Sequence, residues 1–166
     1  MQRRAAIAGI AITAFPLAHA VEVPKDVRPD REIVLGQSAI LSGPLSPPTL
    51  GYNEGALMAF ARINSRGGIG GKPIRLVSLD SGYDPARTVE NCRKLLREVG
   101  PVAFFGTTGT PTTAAAIPVL RDEGVPLIGC TGVADAVRER ATGVGYFARA
   151  TFGQEAEKVV QHLATI

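Results

Sequence analysis

Val102-Ala103-Phe104-Phe105-Gly106-Thr107-Thr108-Gly109-Thr110-Pro111-Thr112-Thr113 is the stretch on which the reading of this 166-residue chain turns. Its first four residues are apolar and read as a buried strand; the alanine-rich segment 114–120 reads as a helix. Between them lies polar, glycine-broken chain. Thr110 fits an N-cap and Pro111 the first helical position, where the missing N–H costs nothing. A helix start leaves backbone N–H groups unpaired at the positive end of the helix dipole. It can hold a small anion such as a carboxylate, helped by the threonine hydroxyls, or it can be a capped helix with no ligand. This stretch alone leaves both open.

Working outward, strands and helices alternate along the chain. Residues 32–41 read as a first strand, ended by Ser42-Gly43-Pro44-Leu45-Ser46-Pro47-Pro48, which reads as neither helix nor central strand. A helix is expected over about 52–65, with Ala56, Leu57, Phe60 and Ile63 on one face. Strand two is 74–79, and the next helix 85–98 carries Val89, Cys92, Leu95, Leu96 and Val99 inward. Strand three is 102–105, with its helix running to about 122. Strand four is 125–129, followed by a short helix over 134–140, a fifth strand over 146–150 and a final helix over 154–164. Five such alternations specify a parallel sheet with right-handed crossovers. In the flavodoxin-like order 2-1-3-4-5, with helices on both faces, the switch point lies between strands one and three. Ser42-Gly43-Pro44, residues 107–110 and Thr131-Gly132 then line one crevice, which suits a small molecule.

Composition excludes several classes. A hydrophobic share of 45% with 20% charged residues is ordinary globular composition. Residues 1–20 have a basic start (Arg3, Arg4), an apolar centre and Ala18-His19-Ala20 at the end, and are expected to be a cleavable signal peptide. Their removal takes the 18 basic side chains down by two, to 16, against 15 acidic ones. That balance does not suggest a nucleic-acid or membrane-surface partner. The lead-in 21–31 reads as extended chain. Gly67-Gly68-Ile69-Gly70-Gly71 follows a helix and precedes a strand, the reverse of a dinucleotide fingerprint, so it reads as a connecting loop. Cys92 and Cys130 read as small core residues, and His162 stands alone without metal-ligand spacing.

The expected crevice loops carry hydroxyls and glycines but no His, Glu or Lys, so no nucleophile has a base. Asp80 and Asp84 end strand two and read as capping groups rather than a catalytic pair. The chemistry is that of recognition, with no cofactor and no enzyme activity expected.

These residues resemble a known family, the branched-chain amino-acid (Leu/Ile/Val) type periplasmic substrate-binding proteins of ABC transporters. The resemblance covers the N-terminal part of such proteins and runs from about Ile33 to the end of the chain. It rests on Ile33-Val34-Leu35-Gly36-Gln37-Ser38 with Leu41-Ser42-Gly43-Pro44, and on Asn64-Ser65-Arg66-Gly67-Gly68-Ile69-Gly70-Gly71-Lys72-Pro73-Ile74. Asp80-Ser81-Gly82-Tyr83-Asp84-Pro85, residues 106–113 and Arg149-Ala150-Thr151-Phe152 fit in the same order.

The resemblance implies a type I periplasmic-binding-protein lobe at 32–148, then a crossover and the first helix of an incomplete second lobe at 149–166. That helix would project or pack opportunistically. It implies a periplasmic solute-binding component that takes an amino acid or a similar small carboxylate or amide. An ABC transporter permease in the inner membrane would be its partner at full length. By the same resemblance Thr110 maps onto the hydroxyl that holds a ligand carboxylate, and Thr131 and Gly132 onto the loop that holds the amino or polar group. Ser42, Thr108 and Gly109 would sit beside them, and Phe152 would line the pocket from the second lobe. Family members are more than twice as long, so the chain is expected to be a truncated or fragmentary member. A ligand-sensing regulatory domain of the same fold and a small exported α/β enzyme are the competing expectations.

Overall fold

A computed structural model describes residues 28–132 and 134–165. The expected signal peptide at 1–20 and most of the lead-in lie outside the described residues. The strands are β1 (Ile33–Ala39), β2 (Ile74–Asp80), β3 (Ala103–Phe105), β4 (Leu127–Ile128) and β5 (Gly145–Tyr146). The helices that alternate with them are α1 (Ser46–Asn64), α2 (Pro85–Glu98), α3 (Thr110–Asp122), α4 (Asp135–Arg140) and α5 (Phe152–Leu163). The strands form one sheet in the order β2-β1-β3-β4-β5, and every pairing is parallel. This is the flavodoxin-like order expected from the alternation.

β1 lies inside the sheet between β2 and β3 and is buried almost throughout, as a parallel strand covered on both faces must be. Its full length pairs with β2, from Ile33 opposite Ile74 to Ala39 opposite Asp80, while β3 meets it only at Leu35–Ala103 and Gly36–Phe104. On one face, Val34, Val77, Phe104 and Leu127 pack against Cys92 and Leu95 of α2, Ala116, Ile117 and Leu120 of α3, and Val137 of α4. Leu95 and Leu120 are fully buried, each worth roughly 1.5–3 kcal/mol of transfer free energy. On the opposite face Leu35, Ile74 and Ala103 pack against Phe60 and Ile63 of α1. Cys92 and Cys130 are free thiols within the first cluster. Burial pushes them up to about 12 and about 11, so both stay protonated at neutral pH.

The structure corrects four expectations. First, α1 begins at Ser46, not near 52, because Pro47 and Pro48 occupy its first positions, where no intrahelical N–H is required. The Ser46 hydroxyl donates to the Gly43 carbonyl, 2.8 Å away, and closes the turn that starts it. Second, the inward stripe of α1 runs through Ser46, Thr49, Asn53, Ala56, Phe60 and Ile63; Leu57 lies off it and is 50% exposed. Third, Gly109 takes the N-cap position of α3 with φ 86°, and Thr110 is the first helical residue. A Cβ at 109 would come within 2.5 Å of the Tyr83 ring, so only glycine fits there. Fourth, the outer strands are short. Past Tyr146 the chain leaves the sheet, and there Arg138 of α4 stacks over the Phe147 ring and donates to the Arg149 carbonyl. The final helix starts at Phe152, where Thr151 and Gln154 form a capping box, and none of its residues is buried.

Candidate functional site

Three loops leave the carboxyl edge of the sheet, and hydrogen bonds tie them together. The first, residues 40–45, follows β1. Its Ile40 N–H donates to the Thr108 hydroxyl at 2.9 Å, joining it to the loop after β3. Leu41 and Ser42 N–H donate to Asp80 Oδ1 at 2.8 and 3.2 Å, and the Ser42 hydroxyl donates to Asp80 Oδ2 at 2.5 Å. Gly82 N–H adds a further bond to Oδ1. Burial would raise the Asp80 carboxyl, but these donors outweigh it and hold it below the ordinary carboxylate range. Asp80 thus acts as a brace and Asp84 as the cap of α2, accepting from Ala86 and Arg87 N–H. Both fit the capping roles expected for them.

The second loop, 106–109, enters α3. The Thr112 hydroxyl turns back onto the Thr108 and Gly109 carbonyls. α2 and α5 carry side-chain caps, whereas α3 has none. With Pro111 in its first turn, the donors left without intrahelical partners are the N–H groups of Gly109, Thr110 and Thr112. Two buried hydroxyls beside this turn, Thr107 Oγ1 and Thr113 Oγ1, have no hydrogen-bond partner. Both residues are fully buried, and an unpaired buried hydroxyl is costly.

The third loop, 129–132, follows β4. Thr131 N–H donates to the Thr107 carbonyl at 3.0 Å, joining it to the second loop. Gly132 is where the two backbones meet. A Cβ there would lie 2.6 Å from the Gly109 carbonyl oxygen and 2.7 Å from Thr113 Oγ1, so any larger residue forces the loops apart.

A crevice of about 320 Å³ opens beside these loops, lined by Pro48, Thr49, Tyr52, Thr108, Thr131 and Arg149. Thr108 and Thr131 share it, and the backbones of Gly109 and Gly132 touch next to it. Thr110 opens α3 half-buried at the same edge. Ser42 is committed to Asp80 and is not part of the crevice lining. Phe152 is exposed and lies under the Arg149 guanidinium, 5.9 Å from its ring centroid, rather than in the lining.

Thr49, Tyr52 and Arg149 were not legible as site residues. The early start of α1 brings the first two into the crevice. Arg149, held by Glu155 through Nε at 2.8 Å and Nη2 at 3.0 Å, enters from the connection to α5. The one available signal was Pro47-Pro48, which marks a helix start as well as it marks a break.

The sequence profile of the family described as "Periplasmic binding protein" matches residues 32–165. The chain is 31% identical over 104 residues to the leucine-, isoleucine-, valine-, threonine- and alanine-binding protein of Pseudomonas aeruginosa, which is 60% of this chain and 28% of that one. Its fold is similar to the crystal structure of a possible leucine/isoleucine/valine-binding protein from Rhodopirellula baltica. That match has TM-score 0.75 and 31% identity, over 84% of this chain and 38% of the other. It is similar also to a branched-chain amino acid transporter substrate-binding protein from Streptococcus pneumoniae in complex with isoleucine. There the TM-score is 0.65 and the identity 28%, over 72% of this chain and 34% of that one. The matched stretch spans little more than a third of the relatives at most.

Proposed function

The chain belongs to the periplasmic binding protein family, and from that premise we propose that it is the N-terminal ligand-binding part of a solute-binding component of an ABC transporter. Its ligand is an amino acid or a related small carboxylate or amide. The observation that carries this reading is the uncapped start of α3 on the edge where Thr108 and Thr131 line a crevice. That is a ready site for an anion or polar headgroup, made without a lysine. Thr110 supplies an N–H and a hydroxyl to a carboxylate; Thr131 and Gly132 face the amino or polar group, with Thr108 and Gly109 shaping the floor between them. Ser42 serves this edge through Asp80, and Phe152 belongs to the opposite wall.

Residues 32–148 are one lobe and 149–166 the beginning of the crossing to a second, which closes over the ligand. The crevice lining holds hydroxyls, an arginine and an aromatic ring, groups that suit recognition of a polar headgroup. The protein works in the periplasm, carried there by the signal peptide at 1–20, and delivers ligand to a permease. No described helix is long and apolar enough to cross a membrane. The relatives named above are binding proteins, which agrees with this reading.

A thermal-shift screen tests it, using branched-chain and aromatic amino acids, aromatic acids and amides. A specific ligand at a hundred times its Kd stabilises the native state by about 2.7 kcal/mol. A flat melting temperature across the whole panel, on the chain joined to a second lobe, would remove the reading.

A further inference from the structure

Tyr52 of α1 sits against the two glycines that open the second and third loops. Gly106 follows β3 and Gly129 follows β4, and both are left-handed, with φ 63° and 61°. A Cβ on Gly106 would come within 2.8 Å of Tyr52 Cε1, and one on Gly129 within 3.1 Å of the Tyr52 hydroxyl oxygen. The Tyr52 ring stacks on Phe105 with centroids 5.7 Å apart, and its hydroxyl donates to the Gly129 carbonyl at 2.8 Å. Burial, with the Cys130 thiol nearby, raises the Tyr52 hydroxyl above its ordinary range, so it remains a donor at working pH.

The next residue of the same helix reaches the other glycine. Asn53 and Gln37 exchange hydrogen bonds at 2.9 and 3.0 Å. Gln37 Nε2 also donates to the Gly106 carbonyl at 3.3 Å, and the Ser78 hydroxyl donates to Gln37 Oε1 at 2.7 Å. Gln37 is fully buried, which makes a loosened carboxamide expensive. One turn of α1 therefore holds both carbonyls at which the loops leave the sheet, Gly129 directly and Gly106 through Gln37.

We infer that Tyr52 is a positioning residue: wedged against Gly106 and Gly129, it fixes the gap between the two loops that carry the ligand groups, with Gln37 and Asn53 completing the bracket. The purpose rests on the binding reading; the gap itself is a property of the chain without ligand. The twin glycines follow from this arrangement, because a side chain at either would push against the wedge. Thr131 N–H on the Thr107 carbonyl then links two loops already placed.

Amide hydrogen exchange by NMR on the ligand-free chain tests the bracket. Tyr52→Phe keeps the ring and loses one bond, so exchange at Gly129 and Thr131 should quicken at least about fivefold, with Gly106 unchanged. Gln37→Met should quicken Gly106 and leave Gly129 as it was. Tyr52→Leu should release both, with Ile33 and Phe104 in the sheet unaffected. If Tyr52→Leu does not fold, the first two variants decide. Equal acceleration at Ile33, Phe104 and the loops would mean general loss of packing and overturn the bracket. Loop exchange unchanged in Tyr52→Phe and Gln37→Met would overturn it too. No ligand enters the measurement, so a failed ligand screen counts against the binding reading alone.

Discussion

Asp80 binds three backbone N–H groups and one hydroxyl, fixing the first loop and the turn after β2 with a single carboxylate. Asp80→Ala should cost about 1–3 kcal/mol, read from urea unfolding. The pH dependence has a definite sign. The native carboxyl lies below its ordinary value, so the ionised form is favoured by folding. Its contribution is complete above the unfolded pKa, about 4, and is lost as pH falls through the lower native pKa. The stability gap between wild type and variant should therefore be constant near neutrality and shrink below about pH 4. Gly132 is the second sensitive point. Gly132→Ala places a Cβ 2.6 Å from the Gly109 carbonyl oxygen and should cost about 1–3 kcal/mol. Gly55→Ala in α1 meets nothing within 4 Å and should stabilise by about 0.5–1 kcal/mol. Differential scanning calorimetry of the two variants should show shifts of opposite sign.

Among the elements, α3 and α5 differ in what their starts are for. α5 is closed by a capping box and buries nothing, with Val160 and Leu163 each 64% exposed. It is a 12-residue helix, near the length at which isolated helices are marginal in water. Thr151→Ala should weaken it by about 1 kcal/mol while the melting temperature of the sheet stays where it was. Amide exchange confined to 152–163 is the expected result. α3 is the reverse, packed into the core through Ala116, Ile117 and Leu120 but open at its first turn. Its start was visible in the chain because Pro111 and the threonines mark it, yet the cap moved from Thr110 to Gly109. Gly109 holds that position with φ 86°, and the Tyr83 ring beside it leaves no room for a Cβ. α1 was misread at its start, since two prolines forbid a helix only where an N–H is needed.

For the whole molecule, the parallel sheet and its order were legible because strand–helix alternation admits few topologies. The same order brings the loops after β1, β3 and β4 to one edge of the sheet, and a crevice opens beside them. The side walls did not follow. Tyr52 and Arg149 reach the crevice only through the packing of α1 and the connection to α5, and neither position carries a local signal. Phe152 was named from the family resemblance, and Ser42 and Thr110 from their loop positions together with it; the fold commits the Ser42 hydroxyl to Asp80 and places Phe152 under Arg149. Thr110 keeps its place at the uncapped start of α3.

The central claim is that this start, with the Thr131-Gly132 loop, is the half of a binding site that takes the polar headgroup. Amide chemical-shift titration with branched-chain amino acids, aromatic acids and amides addresses it most directly. At about 10 mM even a millimolar Kd is visible, so an isolated half-site suffices. The account predicts that one compound class shifts the N–H signals of Thr110, Thr112, Thr131 and Gly132 together, in a saturable way. Saturable shifts elsewhere in the chain, with those four signals unmoved by every compound, would contradict it.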